Sequence, residues 1–270
     1  MSESFTVSRG DIDLAAERWP GGRPVVILLH EGVSDRRGWR DMPGLLAPRL
    51  TVVAYDRRGF GDTPPSPGPF THVDDLLAVL DEVADGPAWL VGASAGGGLA
   101  LDTALTAPDR VAGLVLLGTA VSGAPEPELD PDTQRFGHRW DEAIAAGDQD
   151  EMNRLDTWVW LDGPAQAEGR VSGAARDLAL AMNAVIIAND VPEDAGASGV
   201  KAWDRLGEIQ VPVTVACGDL DVPYLFTRSR ELARRLPNAR YETLPGRAHQ
   251  PYLEDPAEVA QLVVRAVTAP

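Results

Sequence analysis

Short apolar runs alternate with helical patterns along most of the 270 residues. VVILL (25–29), TVVAY (51–55), AWLVG (88–92), LVLLG (114–118) and VTVAC (213–217) are brief, continuous and mostly bounded by glycine, proline or charge. That is the pattern of strands buried on both faces. THVDDLLAVLDEVA (71–84) instead places apolar residues at 73, 76, 77, 79, 80 and 83, one face of a helix. A second helical pattern runs from Ala95 to Ala107 and stops at Pro108. FTRSRELARRL (226–236) and PAEVAQLVVRAV (256–267) are amphipathic, the latter opening on a proline suited to a first helical turn. Strands alternating with helices predict an α/β fold, a mostly parallel central sheet with helices on both faces. FTVS and IDLAAERW near the start predict an antiparallel pair at one edge.

Between about Val121 and Leu206 the alternation fails. SGAPEPELDPD is a proline-rich acidic linker, followed by helical pieces around HRWDEAIAAG, DEMNRLDTWVWL and AARDLALAMNAVI and by a polar loop, NDVPEDAGASG. The expected organisation is a core of residues 1–120 and 207–270, interrupted by a helical insertion over 121–206.

Composition narrows the chemistry. The net charge of −17 argues against nucleic acid or an anionic membrane surface as partner. No apolar run approaches the roughly 20 residues of a membrane span, and the opening MSESFTVSRG lacks the pattern of a signal peptide, so a cytoplasmic protein is expected. The one cysteine, Cys217, lies in an apolar run and reads as a buried core thiol. No His, Asp and Glu cluster has metal-ligand spacing, and GFGDTPPSPG lacks the lysine of a phosphate-binding loop. Neither metal nor cofactor is expected; the partner is a small-molecule substrate, and the chain is a monomer or homodimer.

AWLVGASAGGGLALDTAL (88–105) carries the sharpest signal. Its GASAG fits Gly-x-Ser-x-Gly at the junction of a strand and a helix. Small residues at 92 and 96 permit a sharp reversal that lifts the hydroxyl of Ser94 above the sheet, and the helix N-terminus favours developing negative charge there. GASGV (196–200) looks alike but lacks the flanking strand and the second spaced glycine. A nucleophilic serine needs a base, and the base needs an orienting carboxylate. GDLD after the strand VPVTVAC offers Asp219 and Asp221, and PGRAHQPYLEDP after RYETL offers His249.

With LLHEG (28–32), YDRRGFGDT (55–63), GDLD (218–221) and AHQPYLEDP (248–256), the constellation resembles the α/β-hydrolase family over nearly the whole chain. The resemblance implies a triad of Ser94, Asp221 and His249, with Asp219 as the alternative acid. It implies an oxyanion hole built from the amides of Ala95 and Gly32, a structural role for His30, and a lid formed by 121–206. Asp56 and Arg57 are read as holding their loop together, and His72 and His138 as surface or capping residues. One departure stands out: Glu31 occupies the usual first glycine position after His30. A carboxylate facing the hole would repel an oxyanion, so Glu31 is read as a solvent-facing loop residue, with substrate contact as its alternative role.

Trp140, Trp158, Trp160 and Met182 in the insertion, with Trp203 near its end, suggest an apolar pocket wall. Phe136 and Tyr224 are further candidates. A serine in place of an aspartate nucleophile leaves acyl transfer to water: an esterase or lactonase acting on a small to medium apolar substrate, resembling 3-oxoadipate enol-lactonase-like members. A carbon–carbon bond hydrolase and a non-catalytic ligand receptor of the same fold are the alternatives.

Overall fold

The computed structural model describes residues 1–10, 12–47, 49–66, 68–192 and 194–268. Strands β1 (Glu3–Ser8) and β2 (Asp13–Trp19) form a hairpin, and β3 (Val25–Leu29) enters the centre of the sheet. Helix α1 (Pro43–Leu46) leads to β4 (Thr51–Tyr55) and α2 (His72–Val83), then β5 (Ala88–Ala93) and α3 (Ala95–Thr106). After β6 (Val111–Leu117) come α4 (Pro131–Ala146), α5 (Gln149–Thr157) and α6 (Ala174–Asn189). The chain returns through β7 (Val213–Gly218), α7 (Pro223–Arg235), β8 (Ala239–Leu244), α8 (Pro251–Glu254) and α9 (Pro256–Thr268).

The eight strands form one sheet in the order β1-β2-β4-β3-β5-β6-β7-β8. β1 pairs antiparallel with β2, and β2 antiparallel with β4; the other pairs are parallel. Each predicted run is a strand, and β6 starts three residues earlier than LVLLG. Alternate residues of β3 serve opposite faces. Ile27 and Leu29 pack with α2, α3 and Leu232 of α7, whereas Val26 and Leu28 pack with Leu46 of α1 and with α9. Helices on both faces leave the inner strands β3–β7 almost no solvent-facing side, which is why their sequences are apolar without alternation.

Helices α4, α5 and α6 lie between β6 and β7 in the chain. A π-helical turn, Trp158–Asp162, follows α5. The buried carboxylate of Asp162 accepts from the amides of Gly169 and Val171, both at 2.8 Å, and pairs with Arg176 at 2.6 Å. These bonds gather the loop between α5 and α6 around one anion and fix the turn that carries Trp160. Among the described residues, no helix is long and apolar enough to cross a membrane.

Candidate active site

β3, β5, β7 and β8 end at the same edge of the sheet, the carboxyl edge where α/β folds place their ligands. Ser94 follows β5 directly and stands at φ 47°, ψ −115° as the first cap of α3. A non-glycine residue at that conformation costs of order 1–3 kcal/mol and needs its surroundings to hold it. Two glycines allow the close approach. A Cβ on Gly92 would come within 2.4 Å of the Gly96 carbonyl oxygen, and one on Gly96 within 2.2 Å of the Leu29 oxygen. The Ser94 amide donates to Leu117 O at 2.9 Å, and its carbonyl accepts from the Ala120 amide at 3.2 Å, so the end of β6 and the loop after it clamp the turn from the other side. The half-buried Ser94 hydroxyl makes no cap hydrogen bond with α3.

Asp221 lies in the turn after β7 and His249 in the loop after β8. The two loops are tied together by the Leu220 amide, which donates to Arg247 O at 2.9 Å. Asp221 Oδ2 is 2.8 Å from His249 Nδ1, and both side chains are buried. The other Asp221 oxygen accepts from the Val222 amide at 2.7 Å. Both groups stand over Gly118: a Cβ there would meet Asp221 Oδ2 and His249 Nδ1 at 2.9 Å each. Gly118 follows Leu117, the residue bonded to Ser94, which brings all three positions into one neighbourhood. Asp219 does not join them; its Oδ1 accepts from the Gly246 amide at 2.6 Å and closes a turn.

Glu31 departs from the reading of a solvent-facing residue. It is 0% exposed, and its Oε2 lies 3.5 Å from His249 Nε2, the imidazole nitrogen opposite Asp221. The cause is a pinned backbone. The Glu31 carbonyl accepts from His30 Nδ1 and from Arg57 Nη2, each at 2.8 Å. His30 Nε2 accepts from the Arg57 amide at 3.1 Å, so the proton of this imidazole belongs on Nδ1. Burial, then the neighbouring Arg57 charge, hold His30 well below the ordinary histidine range and therefore neutral. With its carbonyl held by these donors, Glu31 directs its side chain inward. Gln250 Nε2 donates to its Oε1, and the Tyr252 hydroxyl, which meets Ser34 Oγ at 3.2 Å, lies near the same carboxylate.

Burial alone would depress the His249 imidazole, but the charge and hydrogen bond of Asp221, joined by the charge of Glu31, lift it to about 9. Burial pushes Glu31 up, against the pull of His249, Gln250 and Tyr252. The shorter Asp221 contact dominates the stabilisation of the imidazolium. Cys217 is buried as expected, yet its Sγ lies 3.4 Å from Asp221 Oδ2, a contact the apolar run around it did not foretell.

Of the pocket candidates, Trp160 reaches the imidazole. Its ring centroid is 4.7 Å from that of His249, and its carbonyl accepts from the His249 amide at 3.2 Å. Trp158 turns away, its Nε1 donating to Gln166 O at 2.9 Å and its ring meeting Phe136 edge-on at 5.0 Å. Tyr224, Phe136 and Trp160 pack around Val159, Val222 and Leu225. Trp203 belongs to the core beneath the sheet and Met182 is fully buried, so neither lines an open wall. Trp140 is partly buried on α4. Ala95 is the first residue of α3, and Gly32 is exposed in the turn after Glu31. A cavity of about 300 Å³ opens beside Ala95, its lining mixing Leu99 and Val121 with Arg57, His72 and Asp102. His72 is less exposed than a surface residue: burial, with Arg57 and Arg58 nearby, lowers it to about 3. Asp56 bonds its loop together, whereas Arg57 ties that loop to the one after β3 through His30 and the Glu31 carbonyl. Asp56 accepts from the amides of Arg36 at 2.8 Å and Asp62 at 2.9 Å and pairs with the Arg36 guanidinium. Gln250 and Tyr252 were not singled out by sequence; the one signal for them was adjacency to His249 in AHQPYLEDP. Among the described residues, no group of three or more His, Cys, Asp or Glu is arranged to hold a metal ion.

Residues 26–262 match the model of the alpha/beta hydrolase family. A Bacillus subtilis protein named as a 2-succinyl-6-hydroxy-2,4-cyclohexadiene-1-carboxylate synthase is 26% identical, the alignment covering 98% of each chain. A Caulobacter segnis protein, RutD, named as a carbamate hydrolase, is 32% identical over 88% of this chain and 89% of its own. The enol-lactonase of Burkholderia xenovorans LB400 superposes with a TM-score of 0.77 at 22% identity, covering 97% of this chain and 99% of its own, a likeness of fold. With its sheet order, its strained serine after β5 and this match over most of its length, the chain belongs to the alpha/beta hydrolase family.

Proposed function

We propose that the protein is a serine hydrolase that cleaves a small to medium ester or lactone through an acyl-enzyme, with Ser94 as nucleophile, His249 as base and Asp221 as the orienting acid. The observation that carries this reading is the placement of a strained, half-buried Ser94 across Gly118 from a buried Asp221–His249 pair at 2.8 Å. In its neutral form His249 takes the Ser94 proton at Nε2 while Asp221 holds Nδ1–H, and Ser94 Oγ attacks the carbonyl carbon. The alkoxide oxygen is then held by backbone amides, for which Ala95 at the start of α3 and Gly32 after β3 are the candidates; one such donor contributes about 3–4 kcal/mol. Collapse expels the alcohol, which takes the proton from His249. Water, deprotonated by the same imidazole, releases the acid.

The helices of 121–206 serve as a cap in this reading. Its support is the tilted contact of the Trp160 ring with the imidazole, 4.7 Å between centroids, which puts the insertion directly against the catalytic histidine of this reading. Trp160 then forms an apolar side of the acyl site, backed by Phe136 from the cap and Tyr224 from α7. The relative named as a carbamate hydrolase and the neighbour named as an enol-lactonase are in keeping with acyl transfer to water.

A fluorophosphonate probe tests the assignment. Labelling should map to Ser94, and Ser94→Ala should lose both labelling and turnover of p-nitrophenyl acetate and butyrate, by about 10⁴-fold or more. Turnover by Ser94→Ala near the wild-type rate would overturn it. Stoichiometric labelling without repeated turnover would favour a ligand-binding role instead.

A further inference from the structure

His249 Nε2, the nitrogen that has to accept the Ser94 proton, faces a carboxylate. Glu31 Oε2 is 3.5 Å from it, and that oxygen, buried in a residue 0% exposed, makes no hydrogen bond among the described residues. The Ser94 hydroxyl makes no cap bond with its own helix. Nor is the carboxylate free to swing out, because Gln250 holds Oε1 and the group is fully buried. Its main chain is fixed by His30 and Arg57. An imidazole nitrogen opposite a carboxylate is stabilised as N–H, and an N–H has no lone pair with which to accept a proton.

We propose that Glu31 is a catalytic residue that competes with Ser94 for Nε2 of His249. While Glu31 is ionised it keeps a proton on that nitrogen; the Nε2–H bond must break, its proton passing to bulk water, before the nitrogen can take the proton of Ser94. The proposal deepens the serine-hydrolase reading and rests on it. The groups facing His249 are Asp221 from the loop after β7, Glu31 from the loop after β3 and the neutral ring of Trp160 from the insertion. Those facing Glu31 are His249, the Gln250 amide, the Tyr252 phenol, the more distant charge of Asp221, and Arg57 on its carbonyl. Of these, Asp221 and Glu31 are the two anions that favour the imidazolium, and Glu31 alone meets the nitrogen that faces the reaction.

Without Glu31 the base opens at lower pH. The test is kcat/KM for p-nitrophenyl acetate between pH 6 and 9.5, for wild type, Glu31→Gln and Glu31→Gly, with the His249 imidazole titrated by NMR in each and in Ser94→Ala. In wild type kcat/KM should climb up to about pH 9. In both variants the acid limb should fall by one pH unit or more, raising kcat/KM at pH 7 about tenfold while the alkaline plateau holds within a few-fold. The NMR titration of His249 should fall with it. A limb and a titration that stay where they are in both variants, or a uniform loss of rate with an unmoved limb, would overturn the proposal. The Ser94→Ala titration keeps the two readings apart. A serine that proves dispensable sinks the nucleophile assignment, whereas the pull of Glu31 on His249 is read there without any turnover.

Discussion

Oδ2 of Asp221 meets Nδ1 of His249 at 2.8 Å, although 28 positions separate the two residues in the chain. This bond decides which acid of GDLD serves the imidazole, because Asp219 is committed to the Gly246 amide. Asp221→Asn should lower kcat about 10⁴-fold, since the amide no longer holds the productive tautomer. Asp219→Asn should remain within a few-fold of wild type. Steady-state kinetics on one chromogenic ester checks both, and equal losses in the two variants would contradict the assignment.

The turn beneath Ser94 depends on an absent side chain. A Cβ on Gly96 would lie 2.2 Å from Leu29 O, so Gly96→Ala must push α3 away from β3. A forced shift of this kind costs about 1–3 kcal/mol and displaces the serine with it. Urea unfolding should show a lower midpoint, and turnover should fall by more than the stability loss accounts for. Gly44→Ala, where nothing lies within 4 Å of the added methyl, is the control and should leave both unchanged or slightly improved.

The lifted imidazole links stability to pH. His249 is raised in the folded protein to about 9 from an ordinary 6.5, so the folded state holds the proton more tightly than the unfolded chain. That contribution is fully present below pH 6.5 and is lost as pH rises through 9. At full strength it is on the order of 3 kcal/mol. The stability advantage of wild type over His249→Gln, from urea unfolding, should therefore shrink between pH 6.5 and 9.5. A constant difference over that interval would show that the imidazolium is not what the two carboxylates stabilise.

Much of the fold was legible because the physics that made it is local. β3, β4, β5 and β7 are covered on both faces, so their residues are continuously apolar and stand out from the polar turns. The same holds for the turn at Ser94, where glycines at 92 and 96 mark a backbone approach too close for a side chain. Boundaries were harder. β6 extends back to Val111, and α7 begins at Pro223, because neighbouring strands and the turn after β7 set their starts. The candidate acid and base were placed by chain order and by resemblance, which named the loops without giving a distance.

The sequence by itself determined the layered α/β architecture, the strained serine between strand and helix, and the loops that carry the acid and the histidine, since each is written in residues close to one another. Tertiary structure decided the surroundings of the imidazole. Glu31 turns inward because His30 and Arg57, one residue and 26 residues away, hold its carbonyl, and Trp160 reaches His249 because Asp162 gathers a loop that no periodicity marks. Side-chain direction at a strand's end follows from bonds made by other segments, and such bonds exist only once the chain has folded.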